Sequence, residues 1–143
     1  MSLLLRWIHL LAAITWIGGS LFVVLVLVPV ARRLEDPALR ARVVRETGRR
    51  FRAVGWIALI VLVITGLAHL WLFPVFLSSP RFHAKLALVL LALVLSAVHD
   101  FVLGPRAGAP GALPALRGRA SWIARVNVLV ALLIVALGLS LRG

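Results

Sequence analysis

Residues Trp7 to Ala31 read WIHLLAAITWIGGSLFVVLVLVPVA, without a single charged side chain. A helix needs about 20 apolar residues to cross the hydrocarbon core of a bilayer, and this run is longer than that. A second uncharged run, Ala53 to Pro80, reads AVGWIALIVLVITGLAHLWLFPVFLSSP. Two further spans are bracketed by charge: Lys85 and Asp100 flank the third, Arg125 and Arg142 the fourth. Basic side chains at such positions snorkel to the interface. The spacing predicts helices over about residues 3–30, 51–73, 81–103 and 120–141. Apolar residues make up 63% of the 143, and mean hydropathy is +1.11, more than a soluble core of this size can hide. Backbone polar groups in lipid must be bonded internally, and the runs lack strand alternation. The fold class is therefore all-α: one transmembrane domain over residues 1–143, an integral membrane four-helix bundle. The first span is too long for the apolar region of a cleavable signal, and no small-residue cleavage site follows it.

The basic residues predict orientation. The first long turn, from Ala31 to Arg52, carries Arg32, Arg33, Arg40, Arg42, Arg45, Arg49, Arg50 and Arg52. The turn after the third span carries Arg106, Arg117 and Arg119, with Arg125 beyond, while the opposite side has Arg6, Arg81, Lys85 and Arg142. The positive-inside rule makes both long turns cytoplasmic and both termini extracytoplasmic, in the cytoplasmic (inner) membrane of a prokaryote. A net charge of +12 then reports topology and attraction to anionic lipid. It does not indicate nucleic acid, since no aromatic residues alternate with the arginines as a single-strand surface requires.

Asp36-Pro37 reads as an N-cap followed by proline at the first helical position, with Gly48 as the expected stop of a short surface helix. Leu39, Val43 and Val44 would lie on the membrane there while arginines face phosphates. Gly104 to Gly118, rich in Gly, Pro and Ala, should be irregular. A faint internal echo is visible. Arg6 precedes His9 as Arg81 precedes His83, and the first and third spans end alike, in Val28-Pro29-Val30-Ala31-Arg32 and Leu103-Gly104-Pro105-Arg106.

The chemistry lies in the four histidines. An ionisable group inside an apolar span is costly and is read first as functional. His9 opens the first span, His69 nearly closes the second and His83 opens the third, so alternating helices bring these three to one level; His99 lies at the other side. At 100° per residue His9, Trp16 and Ser20 share one face, as do Ala58, Leu62, Thr65 and His69. Gly18, Gly19, Ser20, Gly55 and Gly66 permit close helix approach or room for a flat ligand. Neutral imidazoles bind haem iron or copper. Cysteine and tyrosine are absent and the one methionine is the first residue, so the soft ligands that favour Cu(I) are missing. Haem needs only imidazoles, an apolar slot and cations for its propionates. Those cations would be Arg6, Arg81 and Lys85.

Arg6-Trp7-Ile8-His9-Leu10, Trp16-Ile17-Gly18-Gly19 and Phe82-His83-Ala84-Lys85-Leu86 resemble the membrane domain of CopD-type copper-resistance proteins. They are also similar to HemJ-type protoporphyrinogen oxidase, with its histidine-led first helix and a His-x-Lys opening a later one. The resemblance covers roughly the first three spans. It implies a helical membrane bundle with copper passage or haem-linked oxidation, and it marks His9, His83 and Lys85.

Simpler readings compete. One histidine in a membrane helix often only bonds a neighbouring helix. His99-Asp100 reads as a helix-end polar pair near Arg106; Trp7, Trp71 and Trp122 as interfacial anchors; Trp16 and Trp56 as packing; Ser96 and Asn127 as helix glue. No nucleophile–base or carboxylate pair is present. The residues alone favour a b-type haem near the extracytoplasmic face. His9 and His69 would be axial ligands, with His83 the substitute or a distal residue. The chemistry would be redox or directed at a small gas (oxygen, superoxide or nitric oxide), as a haem-dependent oxidoreductase if the protein is an enzyme. The alternative is histidine-based copper binding or transport, and a third reading is a structural helper without a cofactor. Expected partners are the lipid bilayer, haem, and a second copy or redox partner.

Overall fold

The computed structural model describes residues 3–72, 78–109 and 111–140. Four helices are long and apolar enough to cross a membrane: α1 (Leu3–Arg32), α2 (Pro37–Leu72), α3 (Pro80–Ala107) and α4 (Pro114–Ser140). No strand occurs among the described residues. The expected helix ends at Phe73 and Leu141, and the flanking Arg142, lie outside the described residues. α1 packs along α2, and α3 along α4, as antiparallel pairs; α1 also touches α4. One end of the bundle therefore holds the starts of α1 and α3 with His9, His69 and His83, and the other holds the arginine-rich turns.

The helices extend beyond the predicted spans at the arginine end. α2 begins at Pro37 instead of about residue 51. Asp36 does cap it, its Oδ1 accepting the Ala38 N–H at 2.8 Å, with Pro37 at the first position as expected. Gly48 stops nothing. A glycine in an exposed helix costs about 1 kcal/mol, and the surrounding Ala, Leu and Arg favour helix enough to carry it through. The 36 residues of α2 span about 54 Å, well beyond a hydrocarbon core of about 30 Å, so its arginine-bearing first turns project past the bilayer. Arg40 folds back to donate to the Leu34 carbonyl at 2.6 Å, pinning the α1–α2 turn. Among the described residues the second turn is irregular only at Gly108, Ala109 and Gly111 to Leu113, where Gly111 adopts φ +76, because helix continues on both sides of it.

Both helices that run toward the arginine end widen into π-helical turns, over Val23–Leu27 in α1 and Val98–Leu103 in α3. Each turn closes with a bond to the fifth preceding residue, Val28 N–H to Val23 O and Gly104 N–H to His99 O. The next residue in each case is proline, Pro29 or Pro105. Proline has no N–H and its ring clashes with the carbonyl four residues back, and the wider turn relieves both. Gly104 suits its place, because a Cβ there would lie 2.9 Å from the His99 carbonyl oxygen.

The interior is built from small residues around one indole. Trp16, Ala58, Leu59, Ala92, Val130 and Ala131 form the buried cluster, with contributions from all four helices. Lipid supplies no hydrophobic drive between helices, so close approach through alanine and glycine maximises dispersion contact. The large apolar side chains face outward: Leu25, Ile57, Leu90 and Leu133 are all more than half exposed at mid-helix. A water-soluble surface would not carry such a band.

Polar ties fix the helix seams. Asp100, in the π turn of α3, accepts from Trp56 Nε1 of α2 at 2.9 Å, and its carbonyl accepts from Arg52 Nη1 at 2.9 Å. Trp56 also stacks on Phe101, 5.2 Å between ring centroids. Asn127 of α4 donates to Ser96 of α3 at 2.9 Å, the helix-bonding role expected of both.

Two stability predictions follow from this packing. A side chain at Gly19 would collide with the Phe51 ring, which is also confined over Gly55, whereas a Cβ at Gly18 would meet no neighbouring side chain within 4 Å. Gly19→Ala should cost about 1–3 kcal/mol and Gly18→Ala should stay within about 0.5, read from thermal unfolding in detergent. Trp56→Phe, which keeps the ring but removes the donor to Asp100, should cost about 1–3 kcal/mol in the same assay.

Candidate functional site

His9 lies on the second turn of α1, half-buried and aimed at α2. Its Nδ1 is 2.6 Å from Thr65 Oγ1, and a Cβ at Gly66 would lie 3.9 Å from its Cε1. Thr65 is buried, and its hydroxyl also contacts the carbonyls of Val61 at 2.7 Å and Leu62 at 3.2 Å. A threonine has one hydroxyl proton, and a carbonyl can only accept. When that proton goes to Val61, Thr65 accepts from His9 Nδ1–H and the lone pair is on Nε2; when it goes to His9, Nδ1 is the acceptor.

His69 lies one turn beyond Thr65 on the same face of α2, half-buried. The face that receives His9 is thus the face that carries His69. His83 does not join them. Its side chain is exposed, its Nδ1 donates to the Ser79 carbonyl at 3.1 Å, and its ring stands edge-on to Phe82. Among the described residues no three of the histidine, aspartate and glutamate side chains form a group that could hold a metal ion. The expected meeting of three histidines is therefore replaced by the α1–α2 seam. The reason is pairing: α3 packs against α4, which leaves His83 at the start of α3 outside that seam.

The cations expected around a cofactor are directed elsewhere. Arg81 donates to the Ser140 carbonyl at 3.3 Å, satisfying one of the acceptors that every helix leaves open at its C-terminus. Lys85 lies over the last turn of α4, where a Cβ at Gly138 would stand 3.5 Å from its Nζ. Arg6 is exposed, one turn before His9.

At the arginine end His99 Nδ1 donates to Asp100 Oδ1 at 2.8 Å. The expected pair exists, but its further partners are Trp56 and Arg52 of α2 instead of Arg106. Sequence reasoning placed Thr65 on the His69 face without seeing it as the partner of His9. A lone threonine one turn from a histidine in an otherwise apolar run was the available sign.

The copper resistance protein D family profile matches residues 45–141. A protein of Aquifex aeolicus (strain VF5), described as "Uncharacterized protein", is 31% identical over 145 residues, covering 99% of this chain and 96% of the relative. No solved structure matches. With the profile spanning well over half of its residues, the chain, an integral membrane protein, belongs to the copper resistance protein D family.

Proposed function

We propose that this protein binds copper at its histidine end through His9 and His69 and passes the ion on, so that copper is cargo and not a resident cofactor. The observation that carries the reading is the His9–Thr65 hydrogen bond at 2.6 Å. A metal-ligating histidine ordinarily donates its other ring N–H to a fixed acceptor, which sets both tautomer and ring orientation. Thr65 does this for His9 and presents Nε2 as the ligand nitrogen, one helical turn from His69. Imidazole is a competent copper ligand. Two imidazoles without thiolate or thioether hold copper loosely enough for release, as passage along a membrane protein demands.

Haem b at the same pair is less well supported. Arg81 and Lys85, which would anchor propionates, serve the C-terminal turn of α4. His83 contributes through its position at the same end, where it can meet an incoming ion before the seam does. The bilayer is the one partner this reading requires.

The ligand test uses protein purified in mild detergent from copper-fed cells, with metal by elemental analysis and haem by pyridine haemochrome. Stoichiometric copper is expected while copper is kept in the buffers. His9→Ala or His69→Ala should abolish it, whereas His83→Ala and His99→Ala should retain it. Thr65→Val should weaken binding by roughly 10–100-fold, as loss of a partner outside the coordination sphere does. A haem spectrum without copper, or copper undisturbed in His9→Ala, would overturn the assignment.

We further infer that the arginine end is cytoplasmic, in the inner membrane of a prokaryote, with both termini outside. Moving that many arginines across an energised membrane is opposed by the potential and by anionic lipid. In this cysteine-free chain, Ala41→Cys should resist an impermeant thiol reagent in intact cells and Ser79→Cys should react. The opposite labelling would place the histidine seam on the cytoplasmic side and make the protein a receiver of cytoplasmic copper.

A further inference from the structure

One face of α2 changes chemistry at Trp56. Arg45, Arg49 and Arg52 approach it at helical spacing from the arginine end, and Leu59, Ile60, Val63 and Ile64 continue the same face into the bilayer. The apolar half is one wall of a groove of about 160 Å³, whose other wall is Leu93 of α3. The groove exists because α2 and α3 are joined at the arginine end, by Arg52 and Trp56 on Asp100, and make few contacts elsewhere. Ile60 and Ile64 are more than half exposed, so it opens sideways to lipid.

We propose that this face binds one anionic phospholipid, part of one acyl chain lying in the α2–α3 groove and its phosphate against Arg45, Arg49 and Arg52. Trp56 is the joint between the two halves: it lines the groove and is fixed by its bond to Asp100. Arg52 gives Nη1 to the Asp100 carbonyl, and a guanidinium has five donors, so one fork can serve backbone and phosphate together. Glu46 stands among these arginines, 3.0 Å from Arg49 and 3.9 Å from Arg45. Both pairs are about half exposed and so weak, and a phosphate can displace them. An acyl groove alone would accept any lipid. The arginines at its head select negative charge, each strengthening attraction to an anionic headgroup. The site is independent of the copper reading and lies at the opposite end of the bundle from His9.

Native mass spectrometry of detergent-purified protein titrated with dioleoyl phosphatidylglycerol or the matching phosphatidylcholine tests it. One phosphatidylglycerol should be retained where phosphatidylcholine is not. The double variant Arg45→Gln/Arg49→Gln, on exposed side chains that leave the bundle intact, should lower that preference by roughly tenfold or more. Phosphatidylglycerol brominated on its acyl chain should quench tryptophan fluorescence more in the natural protein than in Trp56→Phe. Equal retention of the two lipids, or a preference that survives the double variant, would overturn the proposal. So would displacement of the lipid by millimolar inorganic phosphate, which would mark a free-anion site. Dimer masses lost on Ile60→Phe would also overturn it, by assigning the groove to a second copy of the chain.

Discussion

A polar side chain in hydrocarbon has no water to fall back on, and among the described residues several that enter the bilayer bond across or along a helix. Between helices those bonds tie three seams. His9–Thr65 ties α1 to α2, Trp56 and Arg52 with Asp100 tie α2 to α3, and Asn127–Ser96 ties α3 to α4. Arg81 on Ser140 adds a second tie between α3 and α4 at the histidine end. Alanine and glycine let the helices approach closely but specify no register, because one small residue resembles the next. The hydrogen bonds supply the register. The residue that orients His9 therefore also holds α1 on α2, and chemistry and architecture share one contact.

The two halves of the chain follow one plan. The same interval in sequence separates Pro29 from Pro105, Ser20 from Ser96 and His9 from Lys85. Each proline is preceded by a π turn that closes on the residue just before it. His9 lies over Gly66 of its partner helix, and Lys85 lies over Gly138 of its own. The echo visible in sequence was thus real at the prolines but misaligned at the other end, where Lys85 and not His83 corresponds to His9. An imidazole in one hairpin and an ammonium in the other differ in kind: one can ligate a metal, the other repels it. The second half keeps the packing of the first without its imidazole.

Spans, helix order and the level of the histidines were legible because they depend on hydropathy and alternation, which are local. The extension of α2 to Pro37 was not, since hydropathy marks where a helix crosses lipid and is silent about where it continues in water. The cap at Asp36 was readable, but it was attached to a helix expected to stop at Gly48. The candidate site was legible in part. That His9, His69 and His83 lie at one end follows from depth alone, whereas the separation of His83 from the α1–α2 seam depends on which helices pair, and nothing in four apolar runs of similar length states that. Likewise Asp100 looked to Arg106, its neighbour in sequence, but bonds Trp56 and Arg52, which the π turn and the α2–α3 junction bring to it.

The absence of soft ligands takes on a different meaning once the seam is known. Cysteine is missing from the chain and its one methionine is the first residue, which weighed against a site that holds Cu(I) tightly. A route needs the opposite property, since a site that binds too tightly blocks itself. On the proposed copper route Thr65 would reconcile weak ligation with selectivity, because its contact with His9 holds the ring in one direction without a thiolate to trap the metal. Arg81 and Lys85 meanwhile lie against the last turn of α4, where a cation interacts favourably with the helix C-terminus. In the proposed reading, the donor set and the placement of cations at this end suit a small cation in transit better than a large dianionic ring held in place.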